Sequence, residues 1–93
     1  MANWKPEVGQ IVKTLEKDWF ESRNKKKDRR GISAGSLVRV FKISLFKEFG
    51  NEYVAWVETL DCTHQTWTFF NGIRPLSHLE QLALATEDEW KLH

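Results

Sequence analysis

Three runs rich in β-branched and aromatic residues lie between residues 36 and 71, and they constrain the fold most. SLVRVFKISLF, NEYVAWVETL and QTWTFF predict strands over 36–46, 52–60 and 65–71. Short connections, KEFGN and DCTH, separate these runs, and Asn71-Gly72 after the third is a strong turn signal. The sequence therefore predicts a three-stranded antiparallel meander with a short return near Ile73, ended by Pro75.

The first quarter of the chain carries a helical pattern instead. Its apolar residues Trp4, Val8, Ile11, Val12, Leu15 and Trp19 fall within an arc of about 100° on a helical wheel. Pro6 and Glu7 suit the first turn of such a helix. We expect an amphipathic helix over about 6–23, with Phe20 outside its apolar arc.

The C-terminal segment, 75–93, contains the signal for a second helix. Ser77 and Glu80 match a capping box, which places a helix start directly after Pro75. A helix over about 78–84, with an extension to about 91, is the first interpretation. A closing strand over 79–85 is the alternative.

From Gly35 onward the sequence resembles an SH3-like small β-barrel. The resemblance is carried by AGSLVRVFKI, in which Gly35 leads into Val38-Arg39-Val40, by the meander and by RPLSHL. It covers roughly residues 35–84. It implies a domain that binds peptides, other subunits or nucleic acid rather than one that catalyses a reaction.

These features predict one α+β domain over residues 1–93. In it, the N-terminal amphipathic helix packs on a small antiparallel β-sheet or SH3-like barrel. A basic loop over 24–35 joins the helix to a β-meander over 36–73, and a short helical C-terminal segment follows.

The run NKKKDRRG at 24–31 concentrates positive charge. Its cations are Lys25, Lys26, Lys27, Arg29 and Arg30. One interpretation is salt-sensitive contact with nucleic-acid phosphates, in which Arg39, Lys42 or Arg74 would assist. The other is a solvated linker, which Asp28 within the run favours.

Charge is unevenly distributed along the chain, although the net charge is only +1. Residues 1–46 hold 11 Lys and Arg against 5 Asp and Glu, a net of +6, whereas residues 47–93 hold 3 against 8, a net of −5. The halves could neutralise each other within the fold, or the dipole could steer a protein partner.

Aromatic residues are abundant, with five Trp, six Phe and one Tyr in 93 residues. Each buries roughly 150–250 Å² when fully packed, so a chain of this size cannot bury all of them. Trp67, Phe69 and Phe70, close to the Asn71-Gly72 turn, are the candidates for exposure, and Trp56 lies in the second predicted strand. Exposed rings either stack nucleic-acid bases or anchor a protein partner, and buried ones fill the core.

Catalytic and metal-binding patterns are weak. Cys62 and His64 have the spacing of a dyad, and His78 is distant, but a metal site needs three or four ligands. The acidic run 87–89 fits a helix start better than acid–base catalysis. The sequence also lacks a phosphate-binding loop, a nucleophile elbow and a dinucleotide fingerprint. We therefore expect no enzyme activity, no cofactor and no metal.

The expected function is a small protein–protein interaction adaptor or an accessory subunit of a larger assembly. A nucleic-acid-binding β-barrel is the alternative. A single cysteine and the lack of a long apolar run or signal peptide predict a cytoplasmic location without membrane insertion. The candidate partner-binding residues are Lys25, Lys26, Lys27, Arg29, Arg30, Arg39, Trp56, Trp67, Phe69 and Arg74.

Overall fold

A computed structural model describes residues 4–24 and 28–91 as a curled antiparallel sheet followed by a helix. The elements are β1 (Ile11–Thr14), β2 (Asp18–Ser22), β3 (Arg29–Ile32), β4 (Leu37–Phe46), β5 (Glu52–Thr59), β6 (His64–Phe69), β7 (Ile73–Pro75) and α1 (His78–Lys91). The strand order in the sheet is β3-β2-β6-β5-β4-β1-β7. The sheet forms a half-barrel, which is compatible with the SH3-like resemblance.

The central meander lies where the sequence predicts it. β4, β5 and β6 begin and end within two residues of the predicted strands. Val40 pairs with Val57 across β4 and β5, and Trp56 pairs with Trp67 across β5 and β6. A β-bulge in β4 follows Val40, because the next paired residue is Lys42. The turn before β5 uses positive φ angles at Gly50 and Asn51, as a tight turn between antiparallel strands requires.

The core lies on the concave face of the half-barrel and collects apolar side chains from six strands. Its buried members are Val12, Phe20, Ile32, Val38, Val40, Ala55, Val57 and Ile73. β1 closes this side by pairing with both β4 and β7. Because the contributing strands are far apart in sequence, the core depends on long-range pairing rather than on any single segment.

The predicted α+β class and its N-terminal helix are wrong: the described residues are mostly β-strand, and two strands replace that helix. Gly9 has a φ of +92°, which interrupts a helix, and burial then alternates along Ile11–Thr14 as it does in a strand. The helical wheel placed Trp19 in the buried stripe and Phe20 outside it. The structure reverses the two, with Trp19 55% exposed and Phe20 1% exposed.

Part of the predicted basic loop is also a strand. Arg29–Ile32 forms β3, which pairs with β2 in a hairpin. The pairing places Gly31 opposite Trp19, and a Cβ at position 31 would lie in van der Waals contact with the Trp19 ring. Lys25, Lys26 and Lys27 lie outside the described residues.

α1 is a single helix over His78–Lys91, so the alternative of a closing strand is wrong. The capping box is present, because Ser77 N–H donates to Glu80 Oε1 at 2.9 Å and Glu80 N–H donates to Ser77 Oγ at 3.2 Å. Arg74 and Lys13 also bind the Glu80 carboxylate, Arg74 Nη1 at 3.0 Å from Oε1. Glu80 therefore fixes the first turn of α1 beside β7 and β1.

The burial of Phe20 rather than Trp19 can be tested by measuring the free energy of unfolding of two alanine variants. Phe20→Ala should lower the free energy of unfolding by about 3–5 kcal/mol, because it leaves a cavity in the core. Trp19→Ala, the matched control, should cost about 0.5 kcal/mol because its ring lies at the surface. Urea denaturation followed by circular dichroism measures both. A larger loss for Trp19→Ala would support the helix instead.

The contacts of Glu80 predict a pH dependence. Hydrogen bonds from Arg74, Lys13 and the Ser77 N–H hold the pKa of Glu80 far below its ordinary value of 4.5. The folded state therefore gains stability from ionised Glu80 above about pH 4.5, and loses it as the pH falls below that value. Thermal melts of Glu80→Gln should show a smaller decrease in Tm between neutral and acidic pH than the unsubstituted protein. Equal decreases in Tm for the two proteins would contradict a stabilising role for ionised Glu80.

Candidate functional site

A second apolar cluster lies on the outer face of β4, β5 and β6, opposite the core. Strand alternation directs Val54 and Trp56 of β5 to this face, and their partners Phe69 and Trp67 lie beside them on β6. Val54 is fully buried, yet it does not belong to the core cluster. Side chains on the outer face must therefore cover it.

The cover consists of aromatic rings, which we call the aromatic face. Its members are Phe41, Phe46, Trp56, Trp67 and Phe69, all of them half-buried. The ring centroids of Phe46 and Trp67 are 5.1 Å apart, and those of Trp67 and Phe69 are 5.4 Å apart, both edge-to-face. The centroid of the Trp56 ring lies 6.3 Å from that of Phe46 and 6.4 Å from that of Phe41. Such geometry stabilises aromatic pairs and holds each ring in a defined orientation.

The β-bulge in β4 determines which side chains reach this face. Because the bulge adds one residue, Arg39 and Lys42 both lie on the outer side although they are three residues apart. Phe41, the extra residue, contacts Trp56. Lys42 Nζ lies 6.0 Å from the centre of the Trp56 ring. The bulge thus brings a cation and a further ring to the border of the aromatic face.

A charged cluster borders the aromatic face at the end nearest the β5–β6 turn. Glu58 is nearly buried and lies between two arginines: Arg23 Nη2 is 2.9 Å from its Oε1, and Arg39 Nη1 is 3.9 Å from its Oε2. The Arg23 guanidinium also stacks over Phe41 at 4.8 Å. Glu58 therefore neutralises much of the positive charge at this border and links it to the aromatic face.

Trp56 carries an unusual polar atom for so apolar an environment. Its Nε1 is buried, and within residues 4–24 and 28–91 no group accepts its hydrogen bond. A buried donor without an acceptor costs roughly 1–3 kcal/mol. The unpaired N–H therefore lowers the stability that the packed indole ring contributes at this position.

The predicted site residues separate into three groups. Arg39, Trp56, Trp67 and Phe69 come together on or beside the aromatic face. Arg74 binds Glu80 and anchors α1, away from this face. The remaining predicted residues belong to the basic run.

The described cations of the basic run form exposed ion pairs. Arg29 Nη2 lies 3.8 Å from Glu21 Oε1, and Arg30 Nη1 lies 3.4 Å from Asp61 Oδ2. The Thr59 and Thr63 hydroxyls, the Thr63 N–H and the charge of Arg30 hold the pKa of Asp61 well below its ordinary range, so that carboxylate is ionised. Each described arginine of the run thus has an acidic neighbour.

The site also contains four residues that are not among those predicted from the sequence: Arg23, Phe41, Phe46 and Glu58. The position of Glu58 within the apolar run of β5 is a signal for a paired carboxylate that the sequence does contain. The bulge that brings Phe41 into the site has no comparable signal, because it arises from the register between two strands.

Other candidate chemistry does not converge in the structure. Among the described residues, no group of three or more His, Cys, Asp or Glu side chains could hold a metal ion. Cys62 is exposed at the β5–β6 turn with its Sγ 3.6 Å from Arg39 Nη1, and His64 Nδ1 lies 2.7 Å from Thr63 Oγ1. Backbone geometry places the acidic run 87–89 in α1.

Comparisons with known proteins give no relative: no family model, curated protein or solved structure matches this chain. Within the described part of the chain, no helix has the length and apolar character needed to cross a membrane. The site must therefore be interpreted from its own geometry.

The charged border of the aromatic face has a testable role in stability. Glu58→Gln keeps the size of the side chain but leaves Arg23 and Arg39 without their shared carboxylate. We expect it to lower the free energy of unfolding by about 1–3 kcal/mol, because a partner of a nearly buried charge is lost. Glu52→Gln, at the exposed start of the same strand, is the matched control and should leave stability almost unchanged. Equal losses of stability for Glu58→Gln and Glu52→Gln in denaturant titrations would contradict a stabilising role for the Glu58 ion pairs.

Proposed function

We propose that this chain is a non-enzymatic protein-interaction module and that the aromatic face is its contact surface. The observation that carries the proposal is the second apolar cluster around Val54, whose five rings lie on the outside of the sheet and are only partly buried. A contiguous apolar patch that stays partly accessible to solvent supports an interaction site. Trp and Arg, both present here, are enriched among residues that dominate binding energy.

The electrostatics of the surface support a protein partner over a phosphate backbone. Glu58 offsets Arg23 and Arg39 at the border, and Lys42 and Arg23 each lie over a ring. Contact with phosphates requires cations that are free to release counterions. A partly neutralised border around a desolvated aromatic centre is typical of a protein interface. We further propose a cytoplasmic location, because the chain has a single cysteine, which is exposed.

Nucleic-acid binding is the second candidate, and one observation favours it. Trp19 is more than half exposed, Lys17 Nζ lies 5.2 Å from the centre of its ring, and β3 with Arg29 and Arg30 is the adjacent strand. An exposed ring beside cations can stack a base. This surface is separate from the aromatic face in its residues, so the two candidates can be distinguished by substitution.

Affinity capture with quantitative mass spectrometry tests the proposal. Trp67→Ser and Lys42→Glu should each abolish capture of a partner that the unsubstituted protein retains, whereas Trp19→Ser and Lys5→Glu should leave capture unchanged. Lys42 and Lys5 are exposed, so their charge reversals do not threaten folding. Circular dichroism melts confirm that each variant is folded. Capture that is insensitive to Trp67→Ser and Lys42→Glu would contradict the proposal.

The nucleic-acid candidate is measured in parallel by fluorescence anisotropy with labelled single- and double-stranded oligonucleotides at about 50 and 200 mM salt. We expect no salt-sensitive binding. If oligonucleotide binding falls steeply with salt, and if neutralising the basic run abolishes it, nucleic-acid binding replaces protein interaction as the proposed function. The positions to neutralise are Lys25, Lys26, Lys27, Arg29 and Arg30.

A further inference from the structure

β3 forms one edge of the sheet, and this edge is open to solvent. In the strand order, only β2 lies beside β3. Arg29, Arg30 and Gly31 are exposed, and Ile32 at the end of the strand enters the core. An exposed edge strand presents unpaired N–H and C=O groups, and these are a template for a further strand.

The hydrogen bonds between β2 and β3 determine which backbone groups of β3 point outward. Ser22 N–H donates to Asp28 C=O at 2.8 Å, and hydrogen-bonded pairs in an antiparallel ladder recur at every second residue. Arg30 therefore directs its N–H and C=O toward β2, whereas Arg29 and Gly31 direct theirs outward. Within the described part of the chain, no group pairs with the outward N–H and C=O groups of Arg29 and Gly31. The edge thus offers two donors and two acceptors in the arrangement that an antiparallel strand requires.

Gly31 leaves a gap on the outer face of this edge, and Trp19 borders the gap. The two residues are directly paired, and a Cβ at position 31 would lie 3.4 Å from the nearest ring atom of Trp19. The flexible stem of Lys17 lies beside the same ring. The indole is nevertheless 55% exposed. An apolar side chain opposite Gly31 on an added strand would reach the indole across the glycine, because no side chain separates them.

Arginines flank the gap on both faces of the edge. Each has an acidic neighbour in the chain: Arg29 Nη2 is 3.8 Å from Glu21 Oε1, and Arg30 Nη1 is 3.4 Å from Asp61 Oδ2. Both ion pairs are long, and the two arginine side chains remain 64% and 54% exposed, so each guanidinium is still accessible to a further carboxylate. On an added strand, the residue directly opposite an arginine is its nearest cross-strand neighbour. An acidic residue is favoured at these two positions, and a lysine is repelled.

The same arginines disfavour β3 of a second copy as the added strand. The register that pairs both Arg29 and Gly31 of each copy places Arg30 of one copy directly opposite Arg30 of the other. Like charges in this position destabilise a sheet.

The other edge of a second copy does not fit β3 either. Leu15 N–H donates to Gly72 C=O, so by the same alternation Ile73 and Pro75 direct their backbone groups away from β1. Pro75 has no N–H, and the Ile73 N–H donates to Phe70 C=O. Ile73 and Pro75 therefore offer no free donor to another strand. Because both edges of a second copy are disfavoured, we look for the occupant in a different protein.

We propose that β3 binds an extended segment of another protein as an added antiparallel strand. The segment has two apolar residues followed by two acidic residues. The apolar residues lie opposite Ile32 and Gly31, and the acidic residues lie opposite Arg30 and Arg29. Its backbone pairs with the outward groups of the edge, and the side chain opposite Gly31 packs against Trp19. The residues of this surface are separate from the aromatic face, so the inference goes beyond the proposed function and does not depend on it.

Fluorescence anisotropy with a labelled peptide of the sequence Thr-Val-Phe-Glu-Glu-Thr tests the inference. The unsubstituted protein should bind this peptide, and Trp19→Ser should weaken binding by roughly 10-fold or more. Tyr53→Ser is the matched control, because Tyr53 is 56% exposed on a different strand, and it should leave the affinity unchanged. A peptide with lysine in place of both glutamates should also bind roughly 10-fold more weakly or worse. No binding of the first peptide at about 1 mM would overturn the inference.

Methylation of single peptide nitrogens distinguishes strand addition from other modes of binding. In the proposed register the N–H of the peptide phenylalanine faces Gly31, whereas the N–H of the first peptide glutamate points away from β3. Methylation of the phenylalanine nitrogen should therefore abolish binding, and methylation of the glutamate nitrogen should leave it nearly unchanged. Equal effects of the two methyl groups would overturn strand addition.

Two variants at position 29 test the same hydrogen bonds from the side of the protein. Arg29→Pro removes the charge and the outward N–H, whereas Arg29→Gln removes only the charge. Proline is tolerated in an edge strand where the N–H faces solvent, and circular dichroism melts establish that both variants are folded. Arg29→Pro should bind the peptide roughly 10-fold more weakly than Arg29→Gln, and equal affinities would contradict the inference. If Arg29→Pro does not fold, the two methylated peptides decide the question.

Oligonucleotide binding is the competing outcome, because the second candidate function uses the same edge. Oligonucleotide binding that depends on Trp19, without peptide binding, would assign the edge to nucleic acid and overturn the inference. Peptide binding that persists in Trp67→Ser supports a surface independent of the aromatic face, whereas its loss in that variant would overturn the placement at β3. Capture of a partner at the aromatic face depends on Trp67 and not on Trp19, so the proposed function succeeds or fails separately.

Discussion

Burial of β5 on both of its faces is the constraint on which the rest of the structure depends. Ala55 and Val57 face the core, whereas Val54 and Glu58 are buried on the outer side. A strand in this position needs paired neighbours on both edges and cover on both faces. β4 and β6 pair with the two edges of β5, and core side chains from the other strands cover its concave face. The aromatic face is the cover of the remaining side.

This arrangement gives the outer surface its chemical character. A nearly buried carboxylate at Glu58 requires compensating charge, and Arg23 and Arg39 provide it. The rings that cover Val54 are too large to be buried by three strands alone, so they remain partly accessible to solvent. The same side chains that complete the fold of the monomer therefore supply an apolar surface with a partly neutralised border, which is the basis of the proposed interaction.

Residues 4–22 show how a helical pattern can mislead. Ile11 and Val12 are adjacent and apolar, which fits a helix better than a strand with one buried face. In the structure Val12 faces the core, while Ile11 pairs with Arg39 on the outer side, so both neighbours contact protein. Phe20 is buried because β2 pairs with β3 and β6. The periodicity of residues 4–22 contains no information about these partner strands. Pairing with distant strands therefore overrides the helical periodicity.

The sequence by itself determined the elements whose signals are local. β4, β5 and β6 follow from β-branched and aromatic runs bounded by turns, and the start of α1 follows from the capping box of Ser77 and Glu80. Tertiary structure alone decided that the N-terminal segment forms strands and that a bulge aligns Phe41 with Trp56. It also decided which tryptophans share a face. These features depend on hydrogen-bond register between strands up to some sixty residues apart, and local propensity contains no information about that register.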